Sequence, residues 1–206
     1  MNNGMQVYAL VELSITCAVI IVWLAQVSIS KPLAMPIKWI LVLLLSNLFF
    51  WPMGLSLELP LVAYVRGVTG DLSVVLTLLL WSSVLLPSRP VPFGFRLALT
   101  GIAMLFYPLA LGLGMLDPYA WGYGSLGLLI SIVFFALVCG LLGWTKGVWI
   151  IAIAIVAWAG HWHESTNLWD YVLDPLLCLW ALITCILLMN RKRRDKARSG
   201  YLFRPG

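Results

Sequence analysis

Long, almost uncharged apolar blocks alternate along the chain with short segments in which charge, proline and tryptophan collect. Seven blocks stand out, at about 7–29, 37–57, 71–87, 96–116, 124–143, 145–162 and 174–190. Each is about the length a helix needs to cross a hydrocarbon layer of roughly 30 Å. The pattern predicts an all-α polytopic membrane protein of about seven transmembrane helices, a single domain over 1–190 followed by a basic tail over 191–206. Two places blur it. Residues 58–70 are only moderately apolar and contain Pro60, which suits an interfacial or re-entrant segment better than a span. The sixth block is short, so its helix is expected to continue through His161. Pro108, midway along the fourth block, removes a helix hydrogen bond to the Met104 carbonyl and predicts a kink.

Charge gives the blocks an orientation. Of the 13 Lys and Arg residues, Lys31, Lys38, Arg89, Arg96, Lys146 and the seven from Arg191 to Arg204 fall in alternate gaps or the tail. Arg66 alone lies in the other set of gaps. Short loops rich in Lys and Arg stay cytoplasmic, so the N-terminus is expected outside and the C-terminus inside, which also requires an odd number of spans. The acids partition the opposite way: Glu58, Asp71, Asp117, Glu164, Asp170 and Asp174 are outer, Asp195 is inner, and Glu12 lies within the first block. Trp51, Trp121, Trp158, Trp162 and Trp169 mark one boundary and Trp39, Trp144 and Trp149 the other, as expected of a ring that is apolar but carries an N–H.

Composition agrees. The chain is 62% hydrophobic and 10% charged, with a mean hydropathy of +0.99, whereas a soluble domain has about 25% charged residues. The net charge of +5 sits largely in the tail. There, Arg191-Lys192-Arg193-Arg194 is suited to anchoring on anionic lipid headgroups and not to nucleic acid. Met1 to Gln6 lack the positive charge of a signal peptide, and the first block is too long for one. The four cysteines, Cys17, Cys139, Cys178 and Cys185, lie in apolar blocks without CxxC spacing, which indicates neither a zinc site nor a redox pair. No cofactor is implied.

Candidate chemistry concentrates on the outer side. Asp174 before Pro175, and Asp71 before Leu72-Ser73, are placed to cap the helices that follow. Arg66 keeps its charge near lipid and needs a partner. Glu58, Asp71 or Asp170 can supply one in a structural pair; alternatively Arg66 is a substrate-binding clamp for phosphate or carboxylate. Glu12, inside the first block, and Asn47, at similar depth in the second, are expected to hydrogen-bond across a helix contact, gluing two helices or handling protons. His161 and His163 offer acid–base chemistry with an outer carboxylate; a metal site lacks a third ligand at a diagnostic spacing. Asp170 and Asp174 share a face only if one helix contains both. The catalytic candidates are therefore Arg66, His161, His163, Asp170 and Glu58.

None of the GxSxG, HExxH, CxxC or Walker motifs is present. The leading expectation is a multi-pass protein of a bacterial inner (plasma) membrane, an accessory or scaffold subunit with a membrane or periplasmic partner, to which Trp23, Trp81 and Trp180 offer interior surfaces. The alternatives are an enzyme acting at the outer face on a lipid-linked or headgroup-bearing envelope precursor, and a small transporter using Glu12 and the Pro108 kink.

Overall fold

In a computed structural model of the chain, residues 3–29, 33–54, 57–86 and 90–202 are described. Lys31, Arg89 and Arg204, three of the orienting charges, and the 55–56 portion of the second expected span lie outside them. The order of elements is α1 (Asn3–Ser28), α2 (Met35–Phe50), β1 (Pro52–Gly54), β2 (Leu57–Pro60), α3 (Leu61–Thr69), α4 (Val74–Leu85), α5 (Phe93–Ala110), a 3-10 turn (Tyr119–Gly122), α6 (Leu126–Leu141), α7 (Thr145–Ala159), α8 (Leu168–Val172) and α9 (Pro175–Leu202). The chain is thus helical, with one two-stranded antiparallel ribbon among the described residues.

Three segments are long and apolar enough to cross a membrane, Val7–Ser28, Phe93–Ala110 and Pro175–Lys196. They associate the chain with a lipid bilayer. The other four apolar helices, α2, α4, α6 and α7, are shorter than their sequence blocks, and local chemistry explains where they stop. The second block ends at Phe50 because Pro52 and Pro60 face each other across the β1–β2 ribbon. The third starts at Val74, where Ser73 accepts the Leu76 amide at 3.2 Å. Its twelve residues rise only about 18 Å. Asp71 is therefore not the cap that its position suggests. The sixth ends at Ala159 and does not run through His161: the Trp162 amide bonds back to Ala157 and the His161 amide to Trp158, the paired closure of a Schellman turn. His161 takes φ 51° there. Pro108 lies in the last turn of α5, two residues before its end, and not midway along a span.

The chain divides into two compact units. In the first (Met1–Pro90 and Tyr119–Asp174), α1, α2 and α4 enclose a core of Ala18, Val19, Val22, Val42, Val84 and Leu85. Small side chains let these helices approach closely, since in a membrane association comes from packing and hydrogen bonds. Trp81 Nε1–H donates to Thr16 Oγ1 at 3.0 Å, and the buried Lys38 donates to the Val84 carbonyl at 3.2 Å. Helices α1 and α4 are parallel: Glu12 meets Thr77 and Thr16 meets Trp81. In the second unit (Val91–Pro118 and Pro175–Gly206), α5 and α9 pack together. Arg96 lies 5.4 Å from the ring centre of Trp180, and Lys192 lies 5.0 Å from that of Phe93.

Candidate functional site

Glu12 and His163, 151 residues apart, are joined in the first unit: His163 Nε2 lies 2.9 Å from Glu12 Oε2. Three elements build this pair. Helix α1 carries Glu12; the first turn of α4 supplies Thr77, whose hydroxyl donates to Glu12 Oε1 at 2.8 Å. The loop after α7 delivers His163, with only 3% of its side chain exposed. The Schellman turn at His161 reverses the chain so that His163 points back into the bundle. Asn47 plays no part in this. Its amide donates to the Leu43 carbonyl on its own helix at 2.8 Å, so the expected Glu12–Asn47 bond is replaced by Thr77 and His163.

Tyr171, fully buried on α8, locks the histidine. Its ring stacks on the imidazole, centroids 4.8 Å apart and planes at 14°. Its hydroxyl accepts the His163 backbone amide at 3.0 Å and reaches the Ser165 carbonyl at 3.0 Å. Burial pushes the phenol above its usual range, so it stays a donor. His163 Nδ1 is buried with no hydrogen-bond partner among the described residues. A lone pair tolerates that environment better than an N–H, whose stranding costs about 1–3 kcal/mol. The imidazole proton therefore belongs on Nε2, donated to Glu12.

Beside this pair runs an ion network. Arg66 on α3 grips Asp71 with two parallel bonds, Nε–Oδ1 at 2.6 Å and Nη2–Oδ2 at 2.8 Å, and Nη2 lies 3.3 Å from Glu164 Oε1. The hydrogen bond to Asp71 raises the arginine pKa further. Neither Glu58, exposed on β2, nor Asp170 pairs with Arg66 among the described residues. Asp174 precedes Pro175, as a cap should, and its carboxylate accepts both the amide and the hydroxyl of Ser73, the amide at 3.0 Å. Asp170 lies in α8 while Asp174 lies outside any helix, so no common face exists. Instead, Asp170 accepts from the Tyr119 hydroxyl at 3.0 Å and from Ser165. Asn167 caps α8 through the Trp169 amide and holds the 3-10 turn through the Tyr119 carbonyl, both at 2.9 Å.

Two spaces adjoin Glu12. One is a small, partly open cavity of about 10 Å³ lined by Glu12, Leu13, Asp71, Leu72, Thr77 and His163, room for about one water molecule. The other is a groove of about 160 Å³ lined by Glu12 and Thr77, by the aliphatic Val11, Ile15, Leu78 and Ile153, and by the aromatic Tyr8, Trp81 and Trp162. Glu12 borders both spaces; His163 borders only the cavity. His161 is exposed and apart from the pair. No group of three or more His, Cys, Asp or Glu side chains is arranged to hold a metal among the described residues. Of the sequence candidates, the structure unites His163 with Glu12 and gathers Arg66 nearby, while Glu58 and His161 stay outside. Sequence reasoning missed Thr77 and Tyr171, neither of which stands in a recognisable motif.

The chain matches no protein family, no curated protein and no solved structure.

Proposed function

We propose that this chain is a seven-span membrane protein, N-terminus outside and C-terminus cytoplasmic, whose outward side carries an acid–base site centred on Glu12 and acting on a membrane-borne molecule. The observation that carries this reading is the Glu12–His163 pair, with Glu12 bordering a groove. An ionisable residue buried among apolar helices is costly and marks a site by default; a carboxylate held by a hydroxyl and an oriented imidazole is preorganised for proton transfer. Glu12 is the group that can reach a bound molecule. His163, shut away from the groove, is a positioning residue that fixes the orientation of the carboxylate. The orientation is supported by the charge asymmetry and by the meeting of Arg66, Asp71, His163 and Glu164, all assigned to the outer side, beside Glu12. The 58–70 segment, ribbon arm plus α3, then lies at the outer interface.

The test is replacement of the gene in its host. The lipid species that accumulates on deletion is identified by mass spectrometry of extracts and then followed in variants matched for abundance. Glu12→Gln is expected to reproduce the deletion profile, and His163→Asn to reproduce it partially. A wild-type profile with Glu12→Gln at normal abundance sinks the acid–base reading.

One observation favours a second reading, an accessory subunit bound to another membrane or periplasmic protein. Arg66, Asp71, Asp170, Asn167 and Asp174 are all engaged within the chain, as in a framework that presents a surface. That reading predicts a co-purifying protein in mild detergent that is retained in Glu12→Gln and lost when the Arg66–Asp71 pair is broken.

A further inference from the structure

The groove beside Glu12 has a chemical character that narrows its ligand. Its length is formed by Val11, Ile15, Leu78 and Ile153, and Trp81 is held in place as one wall by its bond to Thr16. Tyr8 and Trp162, 62% and 40% exposed, stand at its rim. About 160 Å³ is close to the volume of an apolar cavity that accepts a single benzene ring, room for one narrow hydrocarbon segment. Among the described residues, Glu12 is the one charged group in its lining. Both Glu12 oxygens already accept one bond, from Thr77 and from His163, and a carboxylate has about four acceptor positions. Acceptor capacity is thus left over, and the other donors in the lining are the Tyr8 hydroxyl and the Trp162 indole N–H, while the Trp81 N–H is taken by Thr16. Arg66 is committed to Asp71 and Glu164 and does not line the groove.

We infer that the groove binds a single-chain amphiphile whose head group donates hydrogen bonds to Glu12 and carries no negative charge, a long-chain amine or alcohol, with the chain lying along Val11, Ile15, Leu78 and Ile153. An anionic head is disfavoured by repulsion from Glu12, which no cation in the lining offsets among the described residues. The inference deepens the acid–base reading by naming the class of molecule that Glu12 meets, and it turns the expected anion clamp at Arg66 into a buttress outside the binding space.

The experiment uses the full chain, purified and reconstituted in phosphatidylcholine nanodiscs. Long-chain alkyl amine, alcohol and carboxylic acid probes of equal length, each with a photoreactive diazirine in the chain, are crosslinked, and the adducts are mapped by mass spectrometry. Amine and alcohol are expected to label the peptides containing Val11–Ile15, Leu78 and Ile153, with the acid labelling them about tenfold less, the scale of one charged hydrogen bond lost. Glu12→Gln is expected to remove the difference between amine and acid, and Ile153→Phe to suppress labelling by all three. Equal labelling by acid and amine in the unmodified chain overturns the inference without recourse to any variant. So do adducts spread over the exposed faces of α2 and α6 and indifferent to Ile153→Phe. Preferential amine labelling combined with full cellular function of Glu12→Gln leaves the ligand class standing and removes the acid–base role. Loss of function in Glu12→Gln with no head-group preference does the reverse.

Discussion

At the scale of single residues, Arg66 and Asp71 hold the structure of the first unit, while Glu12 faces a ligand-sized space. Arg66 and Asp71 form a bidentate pair whose side chains are 20% and 22% exposed, a geometry stronger than a typical surface ion pair. Asp71→Ala leaves the guanidinium with only the longer contact to Glu164. The expected cost is about 1–3 kcal/mol, read as a lower midpoint in detergent unfolding, whereas Glu58→Ala leaves the midpoint unchanged. Glu12 differs because its partners, Thr77 and His163, orient it without closing the groove in front of it. This pairing was only half legible. Glu12 declares itself as a carboxylate in an apolar block, and His163 as one of two histidines in the chain. Nothing local links positions 12 and 163, because the link is made by how α1, α4 and the loop after α7 pack. Asn47 was the wrong partner for a related reason: depth in a membrane places residues in a layer but does not say which helix faces point together.

Among elements, helix ends account for most of the difference between blocks and helices. Apolar runs mark where a helix is stable but not where its last hydrogen bond falls; caps and turns decide that. Prolines 52 and 60 stop one helix, and Ser73 starts another. Helices α5, α6 and α7 end in the same way, each with paired back-bonds into the last turn. In the first two the residue that turns left-handed is Gly112 or Gly143, with φ of 85° and 75°. In the third it is His161, at φ 51°. A side chain in that conformation costs about 1–2 kcal/mol. His161→Gly is therefore expected to raise unfolding stability by about 1 kcal/mol, and a loss of stability contradicts the assigned turn. The same substitution shows that His161 is separable from the site, since function is expected to persist.

On the scale of the whole molecule, the bilayer class was legible from block length and charge alone, because lipid imposes both directly. Three helices meet the length for crossing on their own. The full seven-span arrangement makes a sided prediction. In a chain with its four native cysteines replaced, Thr166→Cys is expected to react with a membrane-impermeant maleimide in intact cells. Gly94→Cys and Lys196→Cys are expected to react only after permeabilisation. Labelling of all three from one side contradicts the arrangement. The site was less legible than the bilayer class because its parts lie on four elements spread from α1 to α8, and only Glu12 stands out from its surroundings in the sequence.

The Glu12–His163 pair is tested most directly by imidazole nitrogen NMR. His161→Gln leaves one histidine in the chain, so isotope-labelled histidine reports His163 alone. The prediction is a single neutral tautomer with the proton on Nε2, hydrogen-bonded to a carboxylate, and a clear shift of that resonance in Glu12→Gln. A mixture of rapidly exchanging tautomers, with nitrogen shifts the same whether residue 12 is Glu or Gln, would contradict the account.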